Sequence, residues 1–335
     1  MREMPDQVRY GVVGCGHLGR IHAEKIAAIP NAVLAGVFDI VPEKTSATAE
    51  KNFCRPCRSI DELLAIVDAV SIVVPTEVHH QEALRAFNAG KHGLVEKPIA
   101  STVADAEEIC AVARKKNLKL QVGHIERFNP VAEGFSLLPE QPRFIEGHRL
   151  SQFSARGLAV AVILELMIHD IDLILAHVKS PVREVRASAV AVISEMPDIA
   201  NARIEFENGT VANLTASRIS VQKMRKLRFF ARDNYLSLDL LNKTGEHFVL
   251  AQLKESMPRP GYMPVLQHEG TGRKIMFRQL SYPDYDMLTA EIAAFVDCII
   301  SDSAVRISGE DATAALILAK RIEQTAMENL NRMLS

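Results

Sequence analysis

The chain has 335 residues, 48% apolar and 24% charged, and a formal net charge of −2. That length is too great for one core of usual size and predicts two domains. So small a charge gives no broad field to draw nucleic acid or an anionic membrane, and neither partner is expected.

The first residues, Met1-Arg-Glu-Met-Pro-Asp-Gln7, lack the apolar core of a signal peptide. The best apolar run, 158–168, is broken by Glu165 and is shorter than the roughly 20 residues a membrane span needs. A cytoplasmic protein is expected. Residues 8–13 read as a strand, 17–29 as a helix, 33–38 as a strand and 43–51 as a helix. Ala69-Val-Ser-Ile-Val-Val74 is a continuous apolar run, the mark of a strand buried on both faces. Then follow a helix over 77–88, a strand at 93–95, a helix over 103–116 and a strand at 118–122. This alternation predicts an α/β fold with a doubly wound parallel sheet over residues 1–122.

The pattern changes after Gly123. One helix is predicted over 160–178. Ala202, Ile204 and Phe206 then alternate with polar residues, and Asn208-Gly209 supplies a hairpin turn. Asn242-Lys-Thr-Gly245 marks another turn, whereas 255–272, rich in Pro and Gly, reads as a long loop. Helices over 286–300 and 309–333 close the chain, the second announced by Ser308 with Asp311 three residues on. Residues 123–335 are thus predicted to form a C-terminal α+β domain with an open, mostly antiparallel sheet. The last helix could pack back on the first domain.

Gly14-Cys-Gly16-His17-Leu18-Gly19 follows the first strand and opens the first helix. The first glycine allows a tight turn, the second lets the backbone approach a pyrophosphate, and the third lets helix and strand pack closely. The helix N-terminus adds unpaired N–H groups. Asp39, 20 residues after Gly19, ends the second strand, where a carboxylate accepts hydrogen bonds from ribose hydroxyls. It would repel a 2′-phosphate, so a Rossmann domain binding NAD rather than NADP is expected. Glu96-Lys97-Pro98 ends the fourth strand of this reading, at the carboxyl edge where open α/β sheets bind ligands. A partly buried lysine there can exchange protons near neutrality.

Glu165 and His169 are four residues apart and share one helical face, with Asp172 close to it. A carboxylate beside an imidazole can orient or activate it. A zinc site or a buried, satisfied histidine are the other readings. Cys54-Arg-Pro-Cys57 has the spacing of half a zinc site or a redox pair, but no second such pair supplies the remaining ligands. The cysteines are read as packing residues and no metal is expected. Arg218, Lys223, Arg225, Lys226, Arg228 and Arg232 form a basic stretch that could hold phosphates or line the solvated face of strands.

Together these residues resemble the family of glucose–fructose oxidoreductase, inositol dehydrogenase and their relatives (Gfo/Idh/MocA) over nearly the whole chain. The N-terminal signature comprises the glycine loop, Val74-Pro75-Thr76 with His79, and Ala89-Gly90-Lys91-His92-Gly-Leu-Val-Glu96-Lys97-Pro98. The resemblance implies that Gly14, Gly16, His17, Leu18, Gly19, Asp39, Pro75, Thr76, His79, Glu96 and Lys97 bind the cofactor. It implies Lys97 as a catalytic or substrate-orienting residue and a cis Lys97–Pro98 peptide. In the second domain the family's Asp-x-x-x-His is Glu165-Leu-Met-Ile-His169 here, followed by Asp172, so His169 is the expected base and Glu165 its longer-armed partner.

Val122-Gly-His-Ile-Glu-Arg127-Phe-Asn129-Pro130 is similar to the subgroup that acts on nucleotide sugars, notably UDP-N-acetylglucosamine 3-dehydrogenases. Arg127 and Asn129, with His169, are the expected substrate contacts. The resemblance further implies a homodimer or homotetramer. An inositol or free-sugar dehydrogenase, or a dinucleotide-binding sensor without redox activity, are the rival functions.

Overall fold

Six parallel strands form the first sheet: β1 (Val8–Val13), β2 (Ala32–Phe38), β3 (Arg55–Pro56), β4 (Ala69–Ile72), β5 (His92–Glu96) and β6 (Leu120–Gly123). Their order across the sheet is β3-β2-β1-β4-β5-β6, the doubly wound arrangement whose direction of winding reverses between β1 and β4. These strands belong to a computed structural model that describes residues 7–138, 141–153, 160–254 and 260–334. The apolar run at 69–74 is strand only in its first part: β4 ends at Ile72, and the chain leaves the sheet before Pro75.

The connecting helices are α1 (His17–Ala27), α2 (Pro42–Asn52), α3 (Ile60–Ile66), α4 (Thr76–Asn88) and α5 (Val103–Lys115). The short α3 had not been anticipated. Ser59 starts it, its Oγ accepting the Glu62 amide N–H at 3.1 Å, and Leu63 and Leu64 are buried.

The chain divides into two compact units. Met1–Phe128 with Asp286–Leu316 form the first, and Asn129–Tyr285 with Ile317–Ser335 the second. The late segment joins the first unit for a packing reason. On α7 (Met287–Ile300), Leu288, Ile292, Phe295, Val296 and Ile299 enter one core with Val8, Tyr10, Val12 and Ile26. Phe295 meets Tyr10 edge to face, ring centroids 6.2 Å apart.

The second unit has a nine-stranded sheet among the described residues. Its strands are β7 (Phe144–Leu150), β8 (Val182–Val190), β9 (Ile199–Phe206), β10 (Val211–Ser217), β11 (Met224–Phe230), β12 (Asn234–Asp239), β13 (Thr244–Gln252), β14 (Met263–His268) and β15 (Arg273–Ser281). The order is β14-β15-β13-β12-β11-β7-β10-β9-β8, with β7 and β10 parallel and the other neighbours antiparallel. Alternation sorts its faces: Ile145, Leu214, Leu227, Phe229, Leu236 and Leu238 are buried, while Phe230 and Tyr235 lie half-buried on the opposite side. The Asn208-Gly209 turn joins β9 to β10, with the Gly209 amide donating to the Phe206 carbonyl at 3.0 Å. The helix predicted over 160–178 is a π turn (Ile163–Met167) running into α6 (Ile168–His177).

The predicted loop over 255–272 is overturned in its second half. Residues 263–268 form β14, paired along β15, with Gly272 in the left-handed region at the turn (φ 63°). Pro264 can sit there because β14 is an edge strand. Residues 255–259 lie outside the described ones. The final helix, α8 (Gly309–Leu334), starts as its signal predicts: Ser308 Oγ accepts the Asp311 amide N–H at 3.1 Å, and the Asp311 carboxylate accepts the Ser308 amide N–H at 3.0 Å.

Candidate active site

Parallel strands align their carboxyl ends, so the segments after β2, β1, β4 and β5 lie side by side on one edge. In that order they carry Asp39, the glycine loop, Pro75-Thr76 and Lys97. At about 4.8 Å per strand, Asp39 and Lys97 stand roughly 14 Å apart along the edge. That spacing suits the two ends of an elongated ligand.

The glycine loop fits a pyrophosphate. Gly14 has φ +95°, and a Cβ there would lie 2.3 Å from the Val73 carbonyl oxygen. A Cβ on Gly19 would lie 1.8 Å from the Gly14 carbonyl oxygen, so α1 can sit this close to β1 only with glycine. Gly16 faces open space, and α1 begins there with no side-chain cap and no acid in its first turn. Its first amides are therefore left for an anion. The Asp39 carboxylate accepts the Cys15 amide N–H at 2.7 Å and the Val41 amide N–H at 2.9 Å. This ties the end of β2 to the glycine loop and uses two of about four lone-pair directions. His17 and Leu18 are exposed at the start of α1, Pro75 is exposed, and Thr76 is half-buried as α4 begins.

His79 is placed differently. It is buried, with Nδ1 2.9 Å from the Pro98 carbonyl oxygen and Nε2 2.9 Å from that of Val74. It braces the two backbone segments that flank Lys97 and Pro75. The Lys97–Pro98 peptide is cis, and Lys97 is half-buried.

Beneath Lys97 lies a group of charges that the sequence did not announce. His22, on the inner face of α1, is fully buried with Nε2 3.1 Å from Glu96 Oε1. Burial pushes the Glu96 carboxyl up, but His22, Lys97 and His79 outweigh it and hold the group below its ordinary range. Glu291 on α7 does the opposite. It is 0% exposed, neither carboxylate oxygen has a hydrogen-bond partner, and burial with the Glu96 charge pushes its carboxyl well up. The same region thus pushes two carboxyls in opposite directions, Glu96 toward the ionised form and Glu291 toward the protonated one.

In the second unit Glu165 lies in the π turn and His169 in the first turn of α6. Both are half-buried, while Asp170 and Asp172, which follow them on α6, are buried. Asp170 is spent on the buried Arg149, Nη2 2.6 Å and Nε 3.1 Å from Oδ1. Glu165 Oε2 lies 2.9 Å from Arg218 Nη1. Arg218 thus departs from the solvated reading of its basic stretch and is buried. Lys226 and Arg228 remain on the outer face, paired with Asp239 and Glu146. Asn129 is buried as well: its side-chain amide donates to the Leu240 carbonyl at 3.0 Å, and its oxygen accepts the Val131 amide N–H at 3.2 Å. It caps the 3-10 segment Pro130–Leu137, whereas Arg127, in the first unit, is half-buried. Cys54 and Cys57 lie near β3, and burial raises both thiols, Cys54 to about 11.

A glycine loop for phosphates, an acid closing β2 and a lysine closing β5 define a Rossmann oxidoreductase. The profile described as "Oxidoreductase family, NAD-binding Rossmann fold" matches residues 8–124, and the GFO/IDH/MocA C-terminal domain matches residues 140–234. The chain belongs to the GFO/IDH/MocA family of NAD-binding oxidoreductases. The UDP-N-acetylglucosamine 3-dehydrogenase of Acidithiobacillus ferrooxidans is 44% identical over 242 residues, 71% of this chain and 75% of that one. A solved structure of that organism's enzyme superposes with a TM-score of 0.85 at 36% identity, covering 96% of this chain and 98% of the other. Scyllo-inositol dehydrogenase from Lactobacillus casei, solved with NAD(H) and scyllo-inositol, shares the fold with a TM-score of 0.77 at 23% identity, covering 96% and 98%.

The protonated state of Glu291 can be tested by stability. Its carboxyl titrates above the ordinary 4.5 in the folded chain, so the folded state retains a proton the unfolded one has lost. Stability is then lost as pH rises from about 4.5 toward the folded value, at up to ~1.4 kcal/mol per pH unit. Glu291→Gln removes that slope. The difference in unfolding free energy between variant and wild type should widen with pH in favour of the variant. A gap that stays flat from acidic to neutral pH would show that Glu291 is ionised in the folded chain.

Proposed function

We propose that this protein transfers hydride between nicotinamide and a sugar carbinol carbon, and that its substrate is a UDP-linked N-acetylhexosamine oxidised at the 3-position. The observation that carries the substrate is the likeness, over 96% of the chain, to a UDP-N-acetylglucosamine 3-dehydrogenase. The segment from Val122 to Pro130 supports it from the sequence side.

The first unit binds the dinucleotide. Gly14, Gly16 and Gly19 with the first amides of α1 hold the pyrophosphate, and Asp39 accepts from the adenosine ribose. The Asp39 charge opposes a 2′-phosphate, which favours NAD. Pro75 and Thr76, at the end of β4, line the path toward the nicotinamide, and His79 and Glu96 fix the backbone that presents Lys97. When bound, the nicotinamide accepts or returns the hydride. Lys97 donates a hydrogen bond to the reacting oxygen, an interaction that strengthens as negative charge develops there. His169 takes the hydroxyl proton as general base, oriented by Glu165. Arg127 contacts the sugar. Asn129 serves by shaping the chain around Arg127, because its amide already holds Leu240 and Val131.

The second unit binds substrate and joins copies of the chain into a dimer or tetramer. The outer face of its sheet carries a row of half-buried rings from Phe144 through Phe230, Tyr235 and Phe248 to Phe277. Successive centroids lie 5.6, 4.7, 5.3 and 4.9 Å apart. A row of this kind is the apolar anchor of a stable interface.

Three experiments test these assignments. With UDP-N-acetylglucosamine and NAD in a single-turnover absorbance assay, wild type should form NADH and Lys97→Met should lose about 10²–10⁴ in kcat with NADH affinity nearly intact. Turnover of myo-inositol and none of UDP-N-acetylglucosamine would overturn the substrate. By calorimetry NADH should bind more tightly than NADPH, and Asp39→Ser should narrow the gap; equal wild-type affinities would remove Asp39 as the discriminator. In sedimentation, wild type should run as a dimer or larger and Phe230→Asp with Phe248→Asp as a monomer. A monomeric wild type ends the oligomer reading.

A further inference from the structure

We infer that Arg218 is the positioning residue of the proposed base: it fixes the place and charge of Glu165, and through Glu165 the proton affinity of His169. The inference rests on the assignment of His169 as base made above. Arg218 itself touches neither substrate nor cofactor in this scheme.

The placement begins in the sheet. β9 and β10 are antiparallel with Ile199 opposite Ser217, so the residues just beyond them, Asp198 and Arg218, also face each other. The Arg218 amide N–H donates to the Asp198 carbonyl at 3.0 Å. The side chain then spreads over two separate segments, 160–165 and 194–198. Nε donates to Asp198 Oδ1 at 2.8 Å, Nη2 to Ser194 Oγ at 2.9 Å, and Nη1 to the Val160 carbonyl at 2.7 Å and to Glu165 Oε2 at 2.9 Å. A planar guanidinium with its donors in a fixed fork can do this; an ammonium on a flexible stem cannot hold all four acceptors at once.

Asp198 makes the burial of that cation tolerable. It is fully buried, and its Oδ2 accepts the amide N–H groups of Val192, Ile193 and Ser194 at 2.8, 2.7 and 3.0 Å. Burial pushes its carboxyl up, yet these amides and Arg218 outweigh it and leave the group ionised far below the ordinary range. Asp198 and Arg218 therefore cancel as a pair. The third member, Glu165, is held on the guanidinium with its side chain 28% exposed, against 3% for Arg218 and 0% for Asp198. The charge left over sits at the accessible end of the cluster.

That end carries the proposed base. Glu165 precedes His169 by four residues and shares its helical face. The backbone between them is the π turn, where the Ile168 amide N–H reaches back to the Ile163 carbonyl. Glutamate has one methylene more than the aspartate of the resembling family, and Arg218 gives the longer arm a fixed end. Without the guanidinium, Glu165, four residues from the imidazole on the same helical face, would lose its counter-charge. The imidazolium would then be favoured, and the base would work only at higher pH.

The test uses the purified full chain with UDP-N-acetylglucosamine and NAD. His169→Ala first identifies the acidic limb of the kcat/KM profile with His169, by losing it. Arg218→Met should then raise that limb by about one pH unit. It should lower kcat about 10- to 100-fold while NADH affinity stays within about twofold. If Arg218→Met does not fold, Arg218→Lys decides. Its charge keeps the limb near the wild-type position, but its single nitrogen cannot fix Glu165, so kcat still falls without a matching change in the KM for NAD. Wild-type kcat in Arg218→Lys overturns the positioning role, as does an unmoved limb in a folded Arg218→Met. Full activity in His169→Ala overturns the base assignment, and the role of Arg218 with it.

Discussion

A parallel strand buried on both faces can offer chemistry only at its ends. In the first unit this constraint decides almost everything that follows. The buried interior of β1, β4 and β5 is Val, Leu, Ile, small residues and Tyr10, with no room for a ligand. The polar groups that matter leave the sheet together, at its carboxyl edge. There the reversal of winding between β1 and β4 keeps the neighbouring crossovers on opposite faces and leaves the edge open. The close approach of α1 at Gly19 and the left-handed turn at Gly14 exist to hold that edge in shape. The Asp39 carboxylate also serves it, since two backbone amides, of Cys15 and Val41, fix it in place.

Two buried charge clusters, one in each unit, solve the same problem differently. A carboxylate removed from water must gain a partner or a proton. Glu96 gains partners, with His22 below it and Lys97 beside it, and stays ionised. Glu291, near the Glu96 charge with neither oxygen hydrogen-bonded, is pushed toward the protonated form. In the second unit Asp198 is given three amides and a guanidinium, which is enough to keep it ionised at full burial. The guanidinium has donors to spare, and these reach Glu165. In both clusters the most deeply buried members are not the ones proposed to meet substrate.

The periodicity of the sequence, its glycine spacing and its turn residues were sufficient for the parallel sheet, for the hairpin at Asn208-Gly209 and for the cap at Ser308. These signals are local: each depends on backbone geometry within a few residues. The same locality explains the failures. The α3 segment is short and its apolar pattern spans barely two turns. Residues 263–268 read as loop because Pro and Gly crowd them, and only pairing along β15 makes them a strand. Within the site, Gly14, Gly16, Gly19, Asp39, Lys97, Glu165 and His169 could be named from motif and resemblance. His22, Glu291 and Asp198 could not, because nothing near them in sequence marks them as charged partners of a distant residue.

Arg218 shows the boundary most clearly. In the sequence it is one cation in a run of six, indistinguishable from Lys226 or Arg228 on the outer face of the sheet. The sequence by itself determined the class of fold, the phosphate-binding loop, the acid that closes β2 and the identity of the lysine and histidine proposed to act. The tertiary structure alone decided which charges are buried, with whom, and in which protonation state. Burial and pairing are set by residues far apart in the chain, such as Glu96 with Glu291 or Asp198 with Arg218 and Glu165. The free energy of an ionised group depends on those neighbours, and it cannot be read from the residue that carries it.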